Sequence, residues 1–251
     1  MGILSGRHAL VTGGGSGIGA AIALALAGEG AMVTIAGRNA GRLKKIAPDV
    51  AGIHPHTADI TDEKAVEALF ATARDARGPV HIVVANAGAV ESAPFRKTSL
   101  EAWNRHLAVN LTGVFLTFRA GLAKMEGWGR LIAVASTAGL KGYPYVTPYC
   151  AAKHGVIGLT RALALETAKS GVTVNALCPG YTETPLLDGA VQTIRARSGM
   201  TEEAARAALT SVNPQGRFVQ PEEVAAAALF LCGPQSDSLT GLALPIAGGE
   251  I

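Results

Sequence analysis

The chain has 251 residues, 49% hydrophobic and 16% charged, with a formal net charge of +3. That is enough apolar material for one large core, and a single α/β domain spanning 1–251 is the expectation. The charges are scattered, with no basic run to mark a nucleic-acid surface, and no apolar run approaches the ~18 residues of a membrane span.

Residues 1–7 contain no apolar signal core, and no Ser or Thr stands at position 6 for myristoylation. His8–Thr12 is a short apolar run with β-branched residues and reads as a buried strand. It runs into Gly13-Gly14-Gly15-Ser16-Gly17-Ile18-Gly19, and then into small and apolar helix formers over 20–26. Strand, glycine turn and helix is the arrangement that sets a pyrophosphate on a helix N-terminus, where N–H groups and the dipole hold the anion. A second strand over 31–36 closes the βαβ unit. An NAD-binding unit usually places an acidic residue there for the ribose 2′-hydroxyl. This chain has Gly37-Arg38-Asn39 instead. A guanidinium without a carboxylate suits a 2′-phosphate, so NADP(H) is expected over NAD(H).

A weaker third strand spans 53–58. His54-Pro55-His56 within it lacks a Cys or acidic partner at metal spacing, and is read as a surface turn with no metal. Asp59-Ile60 follows, where Asp59 can hold an adenine amino group or cap the helix expected over 62–77. That helix stops at Gly78-Pro79. The fourth strand, 80–85, leads into Asn86-Ala87-Gly88, where the glycine allows a ligand close to the backbone. Thr98-Ser99-Leu100-Glu101 reads as a capping box opening a helix to about residue 125. Its expected buried stripe is Leu107, Leu111, Val114, Phe115 and Phe118. Asn110 falls in that stripe and needs a partner, from a bent backbone or a trapped water.

A fifth strand over 130–135 ends in Ser136, whose hydroxyl faces the crevice at the strand ends. Gly142, Pro144 and Pro148 indicate a loop, and a helix follows over about 149–169. Tyr149 and Lys153 are one turn apart on one face of it. A free phenol has a pKa of about 10, and a neighbouring ammonium lowers it. Reaching neutrality takes about 4 kcal/mol, so a second positive charge is expected to help. The small residues Ala152, Gly155 and Gly158 suit packing against a helix of a second subunit. The sixth strand, 172–177, leads into Pro179-Gly180-Tyr181-Thr182-Glu183-Thr184 at the ligand edge. The strand-free stretch 186–213 reads as a substrate lid. Pro221-Glu222-Glu223 opens a last helix, and 242–246 is a final strand whose Pro245 indicates an edge. Cys150, Cys178 and Cys232 are odd in number and lack metal spacing, which suits buried thiols in a reducing cytoplasm.

Assembled in order, 12–19, Asn86-Ala87-Gly88, Asn110, Ser136, Tyr149-x-x-x-Lys153 and Pro179-Gly180 resemble the short-chain dehydrogenase/reductase family along essentially the whole chain. The resemblance implies a doubly wound Rossmann fold with a seven-stranded parallel sheet, usually in a homotetramer. It implies Tyr149 as proton donor and acceptor, and Ser136 holding the substrate oxygen. Lys153 would bind the nicotinamide ribose and lower the pKa of Tyr149. Asn110 would hold a water that links Lys153 to solvent. Cofactor contacts would come from Gly13, Gly15, Ser16, Gly17, Ile18, Gly19, Arg38, Asp59, Ile60, Asn86, Ala87, Gly88, Tyr149, Lys153, Pro179, Gly180, Thr182 and Thr184. The oxidised nicotinamide is the second positive charge sought above.

Within the family, 138–180 and the segment from Gly216 resemble 3-oxoacyl-thioester and polyketide ketoreductases. Similarity to 3-hydroxybutyrate dehydrogenases is visible around Lys153-His154-Gly155-Val156, but Ala138 and Val146 stand where that enzyme's carboxylate-binding His and Lys are expected. The pocket-side candidates Ala138, Leu140, Val146, Tyr181, Leu186 and Leu187 suit an acyl chain or ring. The expected activity is NADPH-dependent reduction of a 3-oxoacyl thioester on coenzyme A or an acyl carrier. The alternatives are an NAD-dependent dehydrogenase of a 3-hydroxyacyl thioester or a secondary or cyclic alcohol and, more remotely, a non-catalytic nucleotide-binding protein. A serine hydrolase is not expected, since no G-x-S-x-G surrounds Ser136.

Overall fold

The computed structural model describes residues 2–47 and 52–251. Seven strands form one sheet in the order β3-β2-β1-β4-β5-β6-β7. They are β1 His8–Thr12, β2 Met32–Gly37, β3 Ile53–Thr57, β4 Ile82–Ala85, β5 Gly129–Val134, β6 Val172–Pro179 and β7 Ala243–Ile246. Every pairing is parallel. Pro55 and Pro245 lie in the edge strands β3 and β7, where a missing N–H costs least, and Pro179 is the last residue of β6. His54-Pro55-His56 is therefore strand, not turn.

The inner strands alternate between two cores, as a sheet covered on both faces requires. Leu10, Val83, Leu131 and Val174 point into one core with Leu69 and Phe70 of α3 (Glu63–Arg77) and Val156 of α6 (Thr147–Thr167). Ala9, Val11, Val33, Ile35 and Ile132 point into the other with Ile22 of α1 (Gly17–Gly28) and Val224 of α9 (Pro221–Cys232). Strand order reverses at β1, so the crevice at the β1 and β4 carboxyl ends is the natural ligand position.

Several elements differ from expectation. A short helix α2, Ala40–Ile46, follows β2, with the Asn39 side chain accepting from Arg42 N–H at 3.0 Å. The helix expected over 100–125 is three pieces: α4 Leu100–Leu107, a π-helical turn Ala108–Thr112, and α5 Gly113–Leu122. Ser99 caps α4 through Ala102 N–H, and Glu101 pairs with Arg105 instead of closing a capping box. Phe115 is 41% exposed and leaves the buried stripe, because the wider π turn rotates α5 relative to α4. Pro148 lies inside the first turn of α6, not in the loop before it. Gly155 packs within the chain, since a Cβ there would stand 2.9 Å from Leu111. The stretch expected to be strand-free over 186–213 does hold helices and no strand, namely α7 Pro185–Ser198 and α8 Glu202–Thr210. Leu187, Val191, Ala205, Leu209 and Phe218 form a small core of their own there.

Candidate active site

The glycine loop is built for contact. Gly13 and Gly17 adopt φ of +67° and +52°, which L side chains rarely adopt. A Cβ on Gly13 would stand 2.7 Å from Asn86 Nδ2, and one on Gly17 2.9 Å from Thr184 Cγ2. The loop is thus pressed between the β4 exit and the start of α7. The Asn86 side chain donates to Thr12 O at 2.9 Å, and the Thr12 hydroxyl accepts from the backbone of Asn86 and Ala87 at 3.0 and 3.2 Å. The glycine loop and the 86–88 segment are therefore one hydrogen-bonded unit. Ser16 stands at the α1 N-cap with no side-chain capping bond, so the first-turn N–H groups around Ile18 and Gly19 remain for an anion.

Arg38 is exposed just past β2. Asp59 lies near enough to feel it: the Thr61 N–H, the Thr61 hydroxyl and Arg38 together hold its carboxyl below the usual range. Thr61 occupies Asp59 Oδ1 at 2.9 and 2.8 Å, while Asp62 caps α3. Ile60 is buried against Gly113, where a Cβ would stand 2.4 Å from its Cδ1. Arg42 was missed because α2 was missed. Its Cβ lies 3.3 Å from where a Cβ on Gly15 would be, which roots a second arginine beside the loop. The Asn39 cap was the sequence signal for that helix.

Ser136 follows β5 and caps a short turn, Thr137–Gly139, through Ala138 N–H at 3.1 Å. That turn lies flush on α6, since a Cβ on Gly139 would stand 2.8 Å from Lys153 O. Tyr149, in the first turn of α6, lies close enough to the Ser136 side chain for Ser136 to lower its phenol. Burial pushes its phenol up to about 12, against a smaller lowering from Ser136. This is opposite to the direction expected from Lys153. The reason is geometric: Lys153 Nζ donates to Val134 O at 2.8 Å and lies 5.5 Å from the Tyr149 ring centroid. Its charge is thus against the ring and not at the hydroxyl. Burial lowers Lys153 itself to about 8.

Asn110 is fully buried in the π turn. Its Nδ2 donates to Ala89 O at 2.8 Å and His106 O at 3.1 Å, and its Oδ1 accepts from Ala89 N–H at 3.1 Å. Its partners are the backbone of Ala89, in the segment after β4, and the His106 carbonyl one turn back. Gly88 keeps a gap beside it: a Cβ there would stand 2.9 Å from Asn110 Oδ1 and 3.8 Å from Lys153 Nζ.

On the β6 side, Gly180 abuts Glu250, and Tyr181 packs edge-on to Tyr143 with centroids 6.4 Å apart. Thr182 and Thr184 hydrogen-bond backwards along this segment at 3.0 and 3.2 Å. Pro179 ends β6. Ala138 is buried, Val146 half-buried, Leu186 46% exposed, and Leu187 enclosed within the α7–α8 core. Tyr143, Lys141 and Glu250 were not singled out from sequence. No motif carries them, and only folding brings residue 250 to the loop after Ser136.

Among the described residues, no group of three His, Cys, Asp or Glu side chains is placed to hold a metal. No helix of the described residues is long and apolar enough to cross a membrane.

D-beta-hydroxybutyrate dehydrogenase from Rhizobium meliloti (strain 1021) is 38% identical over 252 residues, covering 97% of this chain and 98% of that protein. Acetoacetyl-CoA reductase from the same organism is 37% identical over 246 residues, covering 97% and 98%. Among solved structures, an actinorhodin polyketide ketoreductase variant with NADPH superposes with a TM-score of 0.93 at 37% identity, covering 100% of this chain and 99% of that one. The family model for short chain dehydrogenases matches residues 7–195. With the glycine loop, Ser136, Tyr149 and Lys153 converging on one crevice of a seven-stranded parallel sheet, the chain belongs to the short-chain dehydrogenase family.

Proposed function

We propose that the protein reduces the ketone of a 3-oxoacyl thioester, carried on coenzyme A or an acyl carrier, with NADPH. The observation that carries this reading is the Tyr149 phenol set beside the Ser136 side chain and raised by burial to about 12. Two hydroxyls that keep their protons at neutral pH are the groups a ketone oxygen needs as negative charge grows on it.

The residues present fit a nicotinamide dinucleotide. Gly13, Gly15 and Gly17 let the loop pack against Asn86, Arg42 and Thr184 where Cβ atoms would collide, and the uncapped start of α1 offers N–H groups to the pyrophosphate. Arg38 and Arg42 would hold a 2′-phosphate. When bound, the cofactor supplies the hydride. Ser136 then orients the substrate oxygen, and Tyr149 donates the proton to it. Lys153, mostly protonated at neutral pH with a pKa of about 8, holds positive charge beneath the phenol as it loses that proton. Asn110 fixes the 88–89 backbone that shapes this space.

Ala138, Val146, Tyr181 and Leu186 present mainly carbon to the substrate side. Lys141, the cation of that loop, is already paired with Glu250 at 3.0 Å. A neutral acyl thioester suits that wall better than a free acid. The α7–α8 stretch closes over it as the lid around 186–213, in a single domain over 1–251. The reading includes a cytoplasmic homotetramer. Leu165 is 82% exposed on α6 and Phe115 lies open on α5, as an apolar subunit face requires, and three free thiols suit a reducing compartment.

The test is cofactor oxidation with a short 3-oxoacyl-coenzyme A ester, with NADPH and NADH side by side, in the wild type and in Arg38→Ala and Arg42→Ala. The expected outcome is turnover with NADPH and a roughly tenfold or greater loss of NADPH affinity in either variant. Turnover with NADH alone would overturn the cofactor assignment. Oxidation of secondary or cyclic alcohols without thioester reduction would move the substrate to the dehydrogenase alternative.

A further inference from the structure

We propose that Glu250 is a positioning residue for this reaction, holding the turn that begins at Ser136 against the exit of β6; the catalytic part rests on the reductase reading above. The Glu250 side chain is 2% exposed. A carboxylate buried to that extent costs several kcal/mol unless it is paired and hydrogen-bonded. Here it is both. Lys141 Nζ lies 3.0 Å from Oε1, and the Tyr143 hydroxyl donates to the same oxygen.

The Tyr143 hydroxyl also lies 2.7 Å from Thr137 Oγ1. A carboxylate only accepts, so the Tyr143 proton points to Glu250 and the Thr137 hydroxyl donates to Tyr143. The chain Thr137 to Tyr143 to Glu250 has one direction. It ends where a Cβ on Gly180 would stand 3.1 Å from Glu250 Oε2. Glu250 thereby ties the loop after β5 to the segment after β6. Thr137 is the residue next to Ser136, and Tyr181, next to Gly180, packs edge-on to Tyr143. Those are the two loops that flank the substrate oxygen. Nothing in the hydride or proton path needs Glu250, and a surface carboxylate would not be buried to serve Lys141 alone.

Glu250→Gln keeps the shape, but it removes the charge and turns one oxygen into a donor. Tyr143→Phe removes the middle link. The measurements are kcat, the ketone KM and NADPH affinity for both variants and the double variant, with hydrogen exchange over 137–143 and 180–182. The expected result is a roughly tenfold fall in kcat for each variant, with NADPH affinity held within about twofold. The double variant should be no slower than the slower single, as links of one chain require. Exchange over 137–143 should quicken in Glu250→Gln. A kcat unchanged in Glu250→Gln, or losses that multiply in the double variant, would overturn the positioning role. If the wild type turns over no ketone at all, the reductase reading fails separately. Exchange then decides alone: faster exchange over 137–143 upholds Glu250 as the tie between the loops, and unchanged exchange overturns it.

Discussion

Burial of the Tyr149 phenol, more than its neighbour in sequence, sets the direction of its shift, up to about 12. The Tyr149–Lys153 spacing located the pair, but burial and the direction in which Lys153 points are set by residues far away in the chain. A phenol raised in this way is an acid at rest. It becomes a usable base only when further positive charge arrives, as in the oxidative direction. Binding of NADP+ is therefore expected to pull the Tyr149 titration downward from about 12. Ultraviolet difference titration with and without NADP+, with Tyr149→Phe subtracted to remove the other three tyrosines, measures this. A titration that NADP+ leaves in place would remove the electrostatic account of the base. Asn110 teaches a similar lesson. Its need for a partner was readable from one polar residue in an apolar stripe, whereas the identity of that partner, Ala89, depends on how β4 is placed.

At the scale of elements, strong periodicity and caps carried most of the reading, and the failures have local causes. The α2 helix is 7 residues long and contains Gly41, too little for a periodic signal. The π turn inserts one extra residue per turn, which sequence periodicity does not register. The end of the chain's helical layer was clearer. In α9, Glu223 accepts from Gln220 N–H and pairs with both Arg217 nitrogens, each at 2.7 Å. The Arg217 hydrogen bonds, then the Gln220 N–H, hold its carboxyl down to about 2. A depressed carboxylate stabilises the fold fully above its ordinary 4.5 and loses that contribution as pH falls from 4.5 toward 2. Both side chains are close to half exposed, so Glu223→Ala is expected to cost about 1 kcal/mol, the size of a cap and not of a full ion pair. Urea unfolding at neutral pH and near pH 3 checks this. The difference between wild type and variant should shrink in acid.

For the whole molecule, the seven-stranded parallel sheet was legible because alternating strands and helices with a glycine turn after the first strand admit few other topologies. What sits at its far end was not. His8, His54 and His81 come together at the amino ends of the strands, away from the glycine loop. Burial holds all three below the usual 6.5, with Arg77 adding to the effect on His8 and His54 and Arg7 on His81. His8 bridges Thr34 Oγ1 at 2.9 Å and Gly78 O at 3.1 Å. The folded state thus keeps neutral imidazoles that the unfolded chain protonates. Their contribution is present above 6.5 and is lost as pH drops toward their lowered folded values. The thermal midpoint is expected to fall between roughly pH 7.5 and 5.5, and His8→Gln should flatten that slope. A midpoint constant over this range would show that the three imidazoles do not govern acid stability.

The contact between Gly17 and Thr184 has a kinetic consequence. The first residue before α7 leans on the loop that would carry the pyrophosphate, so the start of the proposed lid would be part of the nucleotide's own seat. A lid that is steadied only when that seat is filled gives a compulsory sequence of addition, with nucleotide entering first and leaving last. Linkage then demands that the ketone tighten nucleotide binding by the same factor. Product-inhibition patterns would display that sequence, and Thr184→Gly, which takes the methyl off Gly17, should drive them toward random order.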